Sequence, residues 1–313
     1  MIPSSTKPDL LQLGSFAPAH QAQLEAGFTP HLQEALDADP SLAARIRGIV
    51  TRSNVTVPAA ILERLPALEI IATFGVGYDG LPLAAAAARN IAVTNTPNVL
   101  NTAVAELCVG MLLGLLRRLP ASDRFVRDGQ WMKGVMPLGV SLAGKRVGIV
   151  GLGRIGKDIA RRLEAFGVIL SYYGRSDQHV AYRYEPDLVQ LARDTDILIV
   201  AAPGGPETNQ LIDRAVIDAL GAAGYLVNIA RGSLVDEAAL IDALEQKTLG
   251  GAALDVFERE PHANARLAAL DNVLLAPHLG SATVETRQAM MDLVLENLRS
   301  HFAGMPLPTP VTV

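Results

Sequence analysis

The stretch from Gly144 to Gly156, reading Gly-Lys-Arg-Val-Gly-Ile-Val-Gly-Leu-Gly-Arg-Ile-Gly, restricts what this chain can fold into more than any other. Val147 to Val150 is a short apolar run of the kind a buried parallel strand shows, and Gly151, Gly153 and Gly156 then supply G-x-G-x-x-G spacing as a helix begins. Gly151 permits the tight turn out of the strand. Gly153 lets the backbone approach a pyrophosphate, and Gly156 lets the helix lie close to the sheet. The N–H groups opening that helix would face the phosphates. Lys157 to Phe166 reads as the helix and Val168 to Tyr173 as a second strand, completing a βαβ unit of about ~30 residues. Dinucleotide binding follows.

The end of the second strand bears on which dinucleotide. An NAD-binding unit usually carries an Asp or Glu about ~20 residues beyond the glycines, to hold the ribose hydroxyls. Here that place holds Gly174, Arg175 and Ser176. No carboxylate repels a 2′-phosphate there, and a guanidinium can bind one. A hydrogen bond to a charged group contributes about 1.5–3 kcal/mol, enough for a tenfold preference. NADP(H) is therefore expected over NAD(H). The alternative leaves Arg175 as a solvated loop residue and gives the ribose to Asp177.

At 313 residues, half of them hydrophobic and 19% charged, the chain can fill two cores. Its net charge of -5 argues against non-specific nucleic-acid binding. The single cysteine, Cys108, excludes an internal disulfide framework, fits a reducing compartment and reads as core packing within an apolar helical run. Met-Ile-Pro-Ser-Ser-Thr-Lys-Pro at the N-terminus lacks an apolar signal region, and the longest apolar run, near Leu107 to Leu116, is too short to span a bilayer. A soluble cytoplasmic protein without membrane partners is expected. Six histidines without metal-ligand spacing make a metal site unexpected.

Strands are expected at Asp9 to Gly14, Ile46 to Thr51, Leu68 to Phe74 and Ile91 to Thr94, with helices at Pro18 to Ala26, Pro58 to Leu65 and Leu83 to Arg89. That alternation implies a parallel sheet and a small α/β domain preceding the dinucleotide unit. Phe74-Gly75-Val76-Gly77-Tyr78-Asp79 closes one of these strands, where successive backbone N–H groups can be aimed at a carboxylate. It can equally be an ordinary turn. Asn101 opens a long helix to Arg118, apolar over much of its surface, suited to deep burial or to a subunit interface. The more polar stretch Ala121 to Trp131 follows, its tryptophan either packed or at an interface. Beyond the βαβ unit come strands at Asp196 to Ala201, Tyr225 to Ile229, Gly251 to Leu254 and Val273 to Leu275. Pro203-Gly204-Gly205-Pro206 is a loop expected over the cofactor. A final helix, about Thr283 to Phe302, is long enough to return to the first domain. The division expected is 1–98 plus 285–313 as a discontinuous substrate-binding domain and 99–284 as the dinucleotide-binding domain.

Three residues stand at or just past strand ends: Arg231 after Val-Asn-Ile-Ala, Glu260 in Leu-Asp-Val-Phe-Glu-Arg-Glu-Pro, and His278 in Ala-Pro-His-Leu-Gly-Ser. They answer the needs of 2-keto-acid reduction. A guanidinium grips the substrate carboxylate as a planar fork. An imidazole can protonate the carbonyl oxygen as hydride arrives. A carboxylate beside the imidazole favours its protonated form and fixes its orientation. Each alone has a plain structural explanation; it is the combination next to a nicotinamide-type unit that points to catalysis.

Gly151-Leu-Gly-Arg-Ile-Gly, Asn228-Ile-Ala-Arg-Gly-Ser, Leu254-Asp-Val-Phe-Glu-Arg-Glu-Pro and Pro277-His-Leu-Gly-Ser closely resemble the D-isomer-specific 2-hydroxyacid dehydrogenase family, in its NADPH-linked hydroxypyruvate/glyoxylate and hydroxyphenylpyruvate reductase branch. The resemblance runs from about residue 45 to 302. It implies two Rossmann-like doubly wound parallel-sheet domains with an interdomain active-site cleft, and an oxidoreductase that reduces a small 2-keto acid to the D-2-hydroxy acid with His278 as proton donor. By the resemblance, Arg231, Glu260 and His278 match the catalytic trio, the amides of Val76 and Gly77 the carboxylate-binding turn, and Arg154 and Ile155 pyrophosphate contacts. The backbone of Ala230 and the carboxylate of Asp255 match the groups that hold the nicotinamide amide. It also implies a homodimer through the Asn101–Trp131 region, and no appended regulatory domain is expected after His278. Two departures are visible: the Pro203-Gly-Gly-Pro loop, and Gly174-Arg-Ser in place of the NAD-type carboxylate. The alternatives are an NAD-linked dehydrogenase working in the oxidative direction and a cofactor-sensing, corepressor-like interaction protein. Which keto acid is accepted is not legible; Arg52 to Val55 and Trp131 are the expected walls.

Overall fold

Short apolar runs that for the most part alternate with helices leave the chain little choice but parallel strands covered on both faces. The computed structural model describes residues 7–312; the first six residues, read above for a signal region, lie outside them. Two compact units result, one formed by residues up to Leu100 together with those from Thr283 onward, the other by Asn101–Ala282.

In the first unit a sheet of five parallel strands contains β1 (Asp9–Gln12), β2 (Thr29–Leu32), β3 (Ile46–Arg52), β4 (Ile70–Phe74) and β5 (Ala92–Thr94), in the order β2-β1-β3-β4-β5. Odd-numbered residues such as Leu11, Ile49 and Ile71 point into one core with Leu36, Leu62 and Leu65. The opposite face carries Gly48, where an added Cβ would lie 2.7 Å from the Leu10 side chain, and takes the helix Val284–Phe302. That helix begins at Thr283, whose hydroxyl accepts from the Thr286 N–H (3.1 Å), and has Glu285 in its first turn and Arg299 and His301 in its last. Both charge placements suit the helix dipole. β2 and the helix Gln33–Ala38 escaped the sequence reading, since Thr-Pro-His-Leu is short, partly exposed and contains proline.

The second unit has seven parallel strands: β6 (Arg146–Val150), β7 (Ile169–Tyr173), β8 (Arg183–Tyr184), β9 (Ile197–Val200), β10 (Tyr225–Asn228), β11 (Gly251–Leu254) and β12 (Val273–Leu275), ordered β12-β11-β10-β9-β6-β7-β8. The chain runs outward from β6 to β8 and then returns to the other side of β6, so the crevice at the carboxyl ends of β6 and β9 is the topological switch point. The helix Asn101–Leu116 packs against the helix Arg154–Glu164 and against β10 to β12. Val104, Cys108, Met111, Leu112 and Leu115 of it are buried, which accounts for its apolar surface within this unit. Burial pushes the Cys108 thiol up to about 12, and the nearby Asp255 charge adds to the effect; this thiol is inert packing. The polar stretch that follows forms a helix, Leu119–Arg127, and a short 3-10 turn, Gln130–Met132, and leaves Trp131 70% exposed. Among the described residues no helix is long and apolar enough to cross a membrane, and no group of three or more His, Cys, Asp or Glu side chains could hold a metal.

Candidate active site

At the switch point the three glycines have separable reasons to be glycine. Gly151 has φ +95°, and an added Cβ would lie 2.7 Å from the Ala202 backbone after β9. A Cβ on Gly156 would come within 2.2 Å of the Gly151 carbonyl oxygen, so any side chain there would push the helix off the turn. Gly153 differs: a Cβ would meet nothing within 4 Å. The backbone alone therefore does not require glycine there, whereas an occupant lying against the turn would. The contrast extends to capping. Asp187, Asp213 and Asp236 cap the three helices after β8, β9 and β10 by accepting N–H groups at 2.9 to 3.0 Å. The helix Arg154–Glu164 starts at Gly153 with no side-chain cap and no acidic residue in its first turn. The N–H groups around Arg154 and Ile155 are thus left for an anion, and the residues present fit a pyrophosphate.

Past β7, Arg175 and Ser176 are exposed, and among the described residues Arg175 has no ion-pair partner. Asp177 is folded back: one of its oxygens accepts from the Tyr172 hydroxyl (2.6 Å) and the His179 N–H (2.8 Å). Those two hydrogen bonds, Tyr172 first, hold its carboxyl below the usual carboxylate range. Lys157, which the sequence reading did not single out, donates to the Gln178 side chain (3.3 Å) and so brings a second cation to this loop.

The opposite end of the sheet assembles the proposed trio. Asn228, last in β10 and 1% exposed, spans the next turn: its oxygen accepts from the Ala230 N–H (3.0 Å) and its amide donates to the Arg231 carbonyl (2.8 Å). Arg231 Nη1 donates to the Ala230 carbonyl at 2.9 Å. Gly232 lets this loop lie on the next one, since a Cβ would be 2.0 Å from the Phe257 carbonyl carbon. Asp255, at the end of β11 and 1% exposed, accepts the Leu279 and Gly280 N–H groups on its two oxygens (2.6 and 2.8 Å). The His278 N–H donates to the Asp255 carbonyl at 2.9 Å. His278 itself is in the left-handed region at φ 54°, a strained backbone that these bonds hold in place. Burial raises the Asp255 carboxyl above its ordinary value, against the pull of the two backbone amides. Asp255 is therefore the clamp for the histidine loop, a part that spacing alone did not reveal.

His278 Nδ1 lies 2.7 Å from Glu260 Oε2, and the Phe257 N–H donates to the other Glu260 oxygen at 3.4 Å. Burial alone would raise the Glu260 carboxyl, but the hydrogen bond and charge of His278, that amide and the Arg231 charge together keep it below the usual range. An ionised Glu260 occupies Nδ1 and leaves Nε2 as the nitrogen for proton exchange.

In the first unit, Gly75 follows β4 with φ +151°, and a Cβ there would be 2.1 Å from the Ser53 hydroxyl. The Gly75 N–H donates to Thr96 Oγ1 (3.1 Å) and Asn95 donates to the Val76 carbonyl (2.8 Å), both from buried side chains. Among the described residues no acceptor takes the Val76 or Gly77 N–H.

Glycine turn, bare helix start and switch-point sheet together define an α/β unit of the dinucleotide-binding type. The family profile for "D-isomer specific 2-hydroxyacid dehydrogenase, NAD binding domain" matches residues 109–280. A glyoxylate/hydroxypyruvate reductase A of Arabidopsis thaliana is 51% identical over 267 residues, 85% of each chain. A 2-ketogluconate reductase of Gluconobacter oxydans is 44% identical over 308 residues, 98% of this chain and 99% of that one. Among solved structures, an NADPH-dependent glyoxylate/hydroxypyruvate reductase from Sinorhizobium meliloti, in complex with NADP and malonate, superposes with a TM-score of 0.92 at 44% identity, covering 98% of this chain and 97% of that one. The chain belongs to the D-isomer specific 2-hydroxyacid dehydrogenase family.

Proposed function

We propose that this protein reduces a small 2-keto acid of the hydroxypyruvate or glyoxylate type to the D-2-hydroxy acid, with NADP(H) preferred over NAD(H). The observation that carries the reading is the 2.7 Å contact of His278 Nδ1 with an ionised Glu260 whose carboxyl also feels the Arg231 charge. When bound, the nicotinamide supplies hydride to the keto carbon. Arg231 holds the substrate carboxylate, and the Val76 and Gly77 amides are proposed to share that task. His278 Nε2 gives its proton to the carbonyl oxygen, and Glu260 on Nδ1 orients the ring for the transfer. One hydride and one proton thus convert the ketone to a secondary alcohol. Asp255 keeps the histidine loop in place, and the remaining lone pairs of its carboxylate together with the Ala230 backbone are assigned to the nicotinamide amide.

The cofactor preference rests on Arg175 and Ser176, with Lys157 beside them, and on Asp177 being turned toward Tyr172. A homodimer is proposed through the C-terminal part of the Asn101–Trp131 region and the residues just past it, because Leu119, Val126 and Trp131, and then Met132, Val135 and Leu138, are all exposed. The reading is tested by mixing the protein with NADPH or NADH and a panel of keto acids and following cofactor absorbance. Consumption of NADPH with hydroxypyruvate or glyoxylate is expected; consumption with no 2-keto acid would sink it.

A further inference from the structure

β3 and β4 end side by side, with Arg52 in register with Phe74. Phe74 directly precedes the Gly75-Val76-Gly77 turn. Its ring carries the Arg287 guanidinium 5.5 Å from the centroid, with Phe16 edge-on at 5.5 Å and His20 tilted at 6.0 Å. Arg287 comes from the first turn of the helix Val284–Phe302, so two guanidiniums and the end of a helix dipole meet at one strand end. Arg52 donates to the Ser15 carbonyl at 3.3 Å, and among the described residues no Asp or Glu pairs with either arginine. Burial, then the Arg52 charge, pulls Arg287 below the ordinary guanidinium range. Arg287 on its aromatic platform and the Arg52 charge beside it, with no carboxylate between them, repel each other, and a bound anion relieves that repulsion.

We infer that Arg52 and Arg287 form a second anion subsite, and that the preferred substrates carry a second anionic group, a carboxylate or a phosphate, on the side chain of the keto acid. This rests on the reductase reading above, and it moves substrate choice from the expected Arg52–Val55 wall to a guanidinium pair that includes the distant Arg287. A planar fork suits either anion. A charge-assisted contact of this kind gives a gain of ~10-fold or more in affinity.

The test is calorimetry on the full-length protein saturated with NADPH, with which a 2-hydroxy acid cannot react. D-lactate is compared with D-malate and D-2-hydroxyglutarate, and with D-3-phosphoglycerate as the phosphate arm, in wild type, Arg52→Gln, Arg287→Gln and the control Arg64→Gln. At least one dianion should bind ~10-fold or more tightly than lactate, and that ratio should collapse in both subsite variants but survive in Arg64→Gln. If Arg287→Gln does not fold, Arg52→Gln decides alone. Dianions that bind no better than lactate, or a gain that survives the substitutions, would overturn the subsite. Hydroxypyruvate turnover is read in parallel. Turnover without a dianion preference removes the subsite and keeps the reductase, whereas arginine-dependent dianion binding without turnover removes the reductase and keeps the subsite.

Discussion

Glu260 and His278 have to be read as a pair, because neither residue's chemistry is fixed without the other. The Glu260 carboxyl is depressed below its ordinary 4.5, so its ionised form contributes stability that is complete above that value and is lost as pH falls through the folded-state value. The thermal stability of wild type should therefore converge on that of Glu260→Gln as the pH drops below the ordinary carboxylate range, and stand above it near neutrality. A constant difference across that window would show that the carboxylate is not ionised against the imidazole. At the cofactor end, Arg175→Ala should lower kcat/KM for NADPH by about tenfold or more, the equivalent of one charge-assisted hydrogen bond, with NADH little affected. An unchanged ratio between the two cofactors would return the ribose to Asp177.

On the scale of single elements, the glycine turn separates folding from binding. Gly156→Ala places a Cβ against the Gly151 carbonyl and should lower the melting temperature, whereas Gly153→Ala meets no protein atom and should leave it unchanged while raising the KM for cofactor. If both variants melt like wild type and bind cofactor alike, nothing lies against the turn. The histidine loop offers a second case. Asp255→Asn leaves one of the Leu279 and Gly280 N–H groups facing an amide instead of an oxygen, which should destabilise by about 1–3 kcal/mol and release the strained His278 backbone. Melting and kcat should fall together. These elements also mark what the sequence makes legible. β6, its turn and the trio are visible because strand periodicity and residue chemistry are local. Asn228 and Gly232 stand inside a quoted motif without a role of their own: the Asn228 bridge across the turn to Ala230 and Arg231 shows only in the backbone, and the Gly232 contact with the Phe257 backbone is tertiary. β2 and the two-residue β8 are too short to show a period at all.

For the whole molecule, the outlying apolar surface is the main unexplained demand. Six large hydrophobic side chains between Leu119 and Leu138 stand in solvent in a single chain, Met132, Val135 and Leu138 at 90% exposure or more. A dimer in sedimentation and a shift toward monomer in the double variant Met132→Glu, Leu138→Glu are expected. A wild-type monomer would instead leave this surface to another partner. Reduction by the proposed mechanism depends on one imidazole delivering a proton to the substrate oxygen. The direct measurement is the rate of NADPH-linked hydroxypyruvate reduction by His278→Asn, with melting temperature and NADPH affinity measured on the same preparation. The proposed mechanism predicts a fall in kcat of about 10²–10⁴-fold with both controls preserved; a variant that keeps wild-type turnover would contradict it.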